Sequence, residues 1–114
     1  EIDAELNFQD INDSFLNILK QFAPHGPENM KPIFITRGVK DYKGFSSIVK
    51  EKHVRFVMYQ QSGRTMNGIG FNLADKFDMI KSQASFDILY HIDENEWNDT
   101  KTLQLRVIDF KASE

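Results

Sequence analysis

The stretch VRFVMYQQSGRTMNGIGFNLADKFDMI, residues 54–80, changes its hydrophobic period partway along. Val54, Phe56 and Met58 fall on one face of an extended chain, with His53, Arg55, Val57 and Tyr59 on the other, because side chains alternate along a strand. After the turn QQSGR, the segment TMNGIGF predicts another strand, carrying Ile69 and Phe71 on one face and Gly68 and Gly70 on the other. Leu73, Phe77 and Ile80 then recur at spacings of four and three, the period of a helix of about two to three turns. Two consecutive strands leading into a short helix set the frame into which the rest of the chain must fit.

Working outward, Ile33, Ile35 and Val39 alternate ahead of this stretch and make a first strand, in which Gly38 sits where a strand can bulge or bend. Beyond the helix Phe86, Ile88, Tyr90 and Ile92 alternate in a long strand, DENEWNDTKT (93–102) predicts a loop, and Leu103, Leu105 and Val107 alternate in the last strand. Before all of these, Ile11, Phe15, Ile18, Leu19 and Phe22 line one face of a helix predicted over 10–23. It is capped by Asp10 or Asn12 and stopped by Pro24, which pushes its predecessor out of the α region. The order is a helix, then β-β-β-α-β-β, which matches a mainly β, five-stranded Greek-key OB-fold barrel preceded by an amphipathic helix. The organisation expected is a linker and helix over 1–23, a Pro/Gly hinge over 24–32 and the barrel over 33–112. In the hinge Pro24 ends the helix, Gly26 and Pro27 turn the chain, Asn29 follows, and Pro32 launches the first strand at a fixed angle.

The chain has 114 residues, enough for one ordinary core, and no cysteine. Without thiols it has neither a disulfide frame nor thiolate metal ligands, which fits a reducing, cytoplasmic setting. No run approaches the roughly 18 apolar residues of a membrane span, so no membrane partner is expected. The chain begins at Glu1 rather than Met and reads as a piece of a longer protein. Its net charge of −3 is unevenly spread: residues 31–64 hold eight bases against Asp41 and Glu51, whereas residues 75–99 hold seven acids against Lys76 and Lys81. A basic face on a mildly acidic molecule is therefore possible, and total charge does not exclude nucleic acid.

FAPHGPENMKPIF (22–34) resembles the Pro-Phe-Gly-x-x-Asn-Pro-x-Pro-x-Phe junction of RecJ-type single-stranded-DNA exonucleases. DENEWNDTKTLQLRVIDF (93–110) is similar to the end of the OB domain in that family, and RTMNGIGFN (64–72) to its third strand. The resemblance covers about residues 6–112. His25 stands where the family usually has Phe, Met30 where it has Pro, and Asp99 where it has Gly, changes that bear on the stiffness of the junction and on the hairpin turn. The resemblance implies a 5′ to 3′ exonuclease parent that needs Mg²⁺ or Mn²⁺. The family's DHH metal motifs and glycine-rich DHHA1 motif have no counterpart in this chain, so it is expected to catalyse nothing alone and to need no cofactor. Its expected partners are single-stranded DNA and the nuclease core of the same polypeptide. The alternative is a docking module that braces the nuclease core or recruits a protein partner.

Single-strand binders of this fold combine a basic groove with aromatic side chains on which bases stack, each stack worth about 1–3 kcal/mol. His53, Arg55 and Tyr59 offer both chemistries on one face, and Arg37, Lys40 and Arg64 extend the track. Gly68 and Gly70 either leave an outer surface bare for a backbone or base, or mark tight packing of a neighbouring element. Trp97 either presents a stacking platform or plugs one end of the barrel. Asp93, Glu94, Glu96 and Asp99 around it repel phosphate, so the plug is favoured, with Lys101 and Arg106 as the contacts nearby. Those four acids lack the glycine and the spacing of a calcium loop, and His25, His53 and His91 are scattered, so no metal site is expected. The leading helix packs either on the barrel or against the nuclease core.

Overall fold

A computed structural model describes residues 1–21, 31–61 and 63–114; the hinge residues Pro24, Gly26, Pro27 and Asn29 lie outside them. The described chain is mainly β. It forms β1 (Ala4–Glu5), α1 (Asp13–Gln21), β2 (Phe34–Asp41), β3 (Ser47–Val49), β4 (His53–Tyr59), β5 (Thr65–Gly70), α2 (Phe77–Lys81), β6 (Phe86–Trp97) and β7 (Thr100–Ala112). All seven strands share one sheet in the order β1-β2-β6-β7-β5-β4-β3, with an additional pairing of β2 to β4. Hydrogen bonding therefore passes from β2 through β6, β7, β5 and β4 and returns to β2.

The alternation on β4 survives folding: Val54, Phe56 and Met58 are fully buried, whereas Arg55 points out. Their apolar face meets Phe86, Ile88 and Tyr90 of β6 and Leu105, Val107 and Phe110 of β7. Phe56, Phe86 and Phe110 form a mutual aromatic cluster with ring centroids 5.5–6.3 Å apart, the spacing at which tilted and edge-to-face rings attract.

Tyr90 lies in the same core, its hydroxyl 2.7 Å from that of Thr36. Burial disfavours the phenolate and pushes the phenol up to about 12 from 10.0, against a smaller opposing effect of the Thr36 hydrogen bond. The unfolded chain releases this proton near pH 10 and the folded chain holds it. Stability tied to Tyr90 is thus complete below pH 10 and is lost as pH rises towards 12, by about 2–3 kcal/mol in all. Urea midpoints measured from pH 9 to 11.5 should fall, and fall less steeply in Tyr90→Phe.

Two strands were not anticipated from periodicity, β1 and β3, each too short to show a period. Residues 93–102, expected as a loop, instead extend β6 and β7 into a ribbon paired as far as Trp97 opposite Thr100. Only Asn98 and Asp99 form its turn, with φ of 50° and 64°. This is the two-residue hairpin geometry that needs two left-handed residues, which Asn and Asp tolerate better than most. Polar side chains hid the strand because a two-stranded ribbon standing clear of the core has no apolar face to display.

α1 begins at Asp13 rather than Asp10. Asn12 caps it, its Oδ1 accepting the Phe15 N–H at 2.9 Å, while Asp10 accepts from Asn7 N at 2.9 Å in the preceding 3₁₀ turn. Phe15, Leu16 and Leu19 pack against the sheet's core and leave Ile18 exposed. Within the stretch expected to be a linker, Phe8 and Ile11 are fully buried, and Ala4 and Glu5 pair in parallel with Phe34 and Ile35.

Candidate nucleic-acid interface

Residues directly opposite each other on paired strands share a face. The register places Ser47, Arg55, Ile69, Arg106 and His91 in one row across β3, β4, β5, β7 and β6, on the side away from the core. Val57 and Asn67 form the next row on the same side of β4 and β5. Among the described residues Arg55 has no ion-pair partner. Arg106 Nε is 3.5 Å from Asp93 Oδ2 and is buried without a hydrogen bond to any described residue.

Aromatic groups flank Arg55 at both ends of β4. His53 packs edge-on to Phe71, centroids 5.2 Å apart, and its Nδ1 accepts the Asn72 N–H at 3.0 Å, which leaves the ring's other nitrogen to carry the hydrogen. Tyr59 packs edge-on to Tyr42, and Tyr42 in turn to Phe45 and beneath the Lys43 ammonium. From His53 to Tyr59 the strand runs about 20 Å. Phe71 and Phe45 are exposed, and sequence reading did not select them or Tyr42 as contacts. For Phe71 the signal was present, since it continues the alternation of Ile69.

The remaining candidates do not join this row. Arg37 and Lys40 line a neighbouring cleft of about 900 Å³ beside the N-terminal arm, together with Asn7, Gln9 and Gln61, and Tyr59 reaches it from the end of β4. Arg64, expected as a phosphate contact, is exposed but tied: its Nη1 donates to the Phe8 carbonyl at 3.1 Å and to the Ile11 carbonyl, and so clamps the arm to the sheet. Lys101 lines a smaller cleft between α1 and the β6–β7 ribbon. Lys31 pairs with Asp93. The basic segment is thus divided between internal ties and a reduced set of outward cations.

Of the two readings of Gly68 and Gly70, the structure bears out close packing and not a surface open to nucleic acid. Both are buried, on the core side of β5 and not on a bare outer surface. A Cβ on Gly68 would lie 3.0 Å from the Leu105 carbonyl oxygen and one on Gly70 2.6 Å from Leu73 Cδ1, so glycine is there because β7 and Leu73 come too close for a side chain. Trp97 is 78% exposed at the ribbon tip, which rules out the plug. Pro32 is half-buried, and its carbonyl sits 2.9 Å from His91 Nδ1. Among the described residues no group of three or more His, Cys, Asp or Glu is placed to hold a metal, and no helix is long and apolar enough to cross a membrane.

Residues 2–109 match the family described as the RecJ OB domain. Two crystal structures of RecJ from Thermus thermophilus share the fold. The complex with Mn²⁺ is 17% identical with a TM-score of 0.66, and the complex with Mg²⁺ 16% identical with a TM-score of 0.67. In each case 99% of this chain is covered but only 16% or 17% of the other, so this chain spans about a sixth of their length. No curated protein sequence matches it.

Proposed function

The chain belongs to the RecJ OB domain family, and on that premise we propose that it is the single-stranded-DNA-binding module of a RecJ-like 5′ to 3′ exonuclease. It positions the strand for hydrolysis on a nuclease core that lies outside this chain and uses Mg²⁺ or Mn²⁺. The circuit of β2, β4, β5, β7 and β6 is read as the five-stranded Greek-key OB barrel, whose middle strands commonly carry nucleic acid.

One observation carries the reading: Arg55 and Arg106 lie in one outward row, between the His53–Phe71 and Tyr59–Tyr42 pairs. Guanidinium groups neutralise phosphates, and ring faces stack bases with little regard to sequence. Fluorescence anisotropy with a labelled oligothymidine tests it. Affinity should fall with salt, at a log–log slope of about −0.7 per phosphate contacted. Arg55→Ala should weaken binding about tenfold and make that slope shallower by roughly one contact. No binding at low salt, or binding indifferent to both salt and Arg55, overturns the reading.

A second reading, a docking module, is favoured by the exposed Trp97 on an acidic ribbon and by Ile18 left open on α1. It predicts that Trp97→Ala and Ile18→Ser leave oligonucleotide affinity unchanged and weaken association with the nuclease core or a protein partner.

A further inference from the structure

Resting on the reading above, we infer that the cleft beside the N-terminal arm is a second site, meeting the Arg55–Arg106 row only at Tyr59, for the phosphate of a single nucleotide. Its origin is a bulge in β2. The register against β6 runs Thr36 opposite Ile88 and then Val39 opposite Phe86, so Arg37 and Gly38 together face Asp87 alone. Gly38 takes φ of +69°, the left-handed conformation a bulge of this kind assigns to glycine. In an unbroken strand residues three apart point to opposite faces. The bulge removes that alternation, and Arg37 and Lys40 both reach the same cleft.

The bulge is held from beneath. Asp87, nearly fully buried, accepts the Gly38 N–H at 2.9 Å and the Ser113 hydroxyl at 2.6 Å. Arg37 is steadied by Glu5 at 3.3 Å from Nε and by Asp87 at 3.5 Å from Nη1. Lys40 has no ion-pair partner among the described residues and stands opposite Tyr59 in register. A Cβ on Gly38 would meet nothing within 4 Å, so the cleft is open above the bulge. The carboxylates nearest it, Glu5 and Asp87, are taken up by Arg37, which leaves Lys40 as its unpaired cation among the described residues. Two cations, a phenol and the amides of Asn7 and Gln61 supply donors for a phosphate and for the sugar or base attached to it. At about 900 Å³ the cleft has room for a nucleotide, and its polar walls disfavour an apolar ligand. The same chemistry serves two sources, the end of a strand or a free nucleoside monophosphate.

The test is a titration of the 114-residue chain with thymidine 5′-monophosphate, followed by amide NMR shifts. The amides of Gly38, Lys40 and Gln61 should move, thymidine without phosphate should leave them in place, and Lys40→Ala should weaken binding at least fivefold. The Arg55→Ala/Arg106→Ala double variant should lose oligonucleotide affinity yet bind the monophosphate within twofold of the parent, so the two sites can fail independently. If a terminal phosphate tightens oligonucleotide binding in the parent chain and not in Lys40→Ala, a strand end is the occupant. If only the monophosphate responds, the free nucleotide is. Unmoved Gly38 and Lys40 amides, or undiminished affinity in Lys40→Ala, overturn the proposal.

Discussion

Gly68→Val is expected to destabilise the domain by upwards of about 3 kcal/mol, because overpacking here meets backbone and cannot be relieved by a rotamer change. The new Cβ falls 3.0 Å from the Leu105 carbonyl oxygen, 3.3 Å from Met58 Cε and 3.4 Å from Val107 Cγ2. Met58 is flexible enough to yield. Val107 is stiff, and Leu105 cannot retreat without opening the β5–β7 pairing of Gly68 with Leu105 and Ile69 with Arg106. That pairing joins the two halves of the five-strand circuit, so strain there also loosens the row that carries Arg55 and Arg106. Chemical denaturation followed by circular dichroism measures the loss. Gly70→Ala is the comparison: its obstacles are side chains and not backbone, the end of half-buried Leu73 at 2.6 Å and the Phe56 ring edge at 3.0 Å, so it should cost less. A Gly68→Val variant as stable as the parent would show that β7 can stand off from β5.

Arg64→Ala is expected to cost about 2 kcal/mol, since it removes two charge-assisted hydrogen bonds that one nitrogen of a solvent-exposed side chain makes to backbone carbonyls. Its guanidinium holds the carbonyls of Phe8 and Ile11, whose side chains are fully buried in the core. Gln60 adds to the same anchorage, accepting the Phe8 N–H at 2.6 Å and donating to the Arg37 carbonyl at 2.8 Å. Losing the clamp should raise hydrogen exchange in residues 4–11 more than elsewhere. Arg64→Lys should recover only part of the stability: a single nitrogen, Nη1, makes both bonds, but the lysine stem is shorter and its ammonium more strongly hydrated. Oligonucleotide affinity of the folded variant should stay within about twofold, the opposite of what a phosphate contact would give. A tenfold loss of affinity with unchanged stability would return Arg64 to the interface.

The alternation of β4, the helical period of Leu73, Phe77 and Ile80, and the possibility of a bulge at Gly38 were legible because each depends on a few neighbouring residues. On β5 the same reasoning identified the strand but not its inward side. Ile69 and Phe71 are the apolar pair, yet Met66, Gly68 and Gly70 face the core, since β7 approaches too closely there for larger side chains. The fate of each charge likewise depends on distant neighbours. Arg64 and Arg55 look alike in the sequence, but the carbonyls that capture Arg64 lie more than fifty residues away along the chain.

By itself the sequence determined the order and type of the main elements, since periodicity, proline and glycine act over a turn or a strand, and its motifs carried the resemblance to the family. The tertiary structure alone decided which face of β5 is inside, which cations remain free, that Trp97 stands exposed on a ribbon, and that a bulge brings Arg37 and Lys40 to one cleft. Each of these follows from strand register and from contacts between distant residues, which no local pattern encodes.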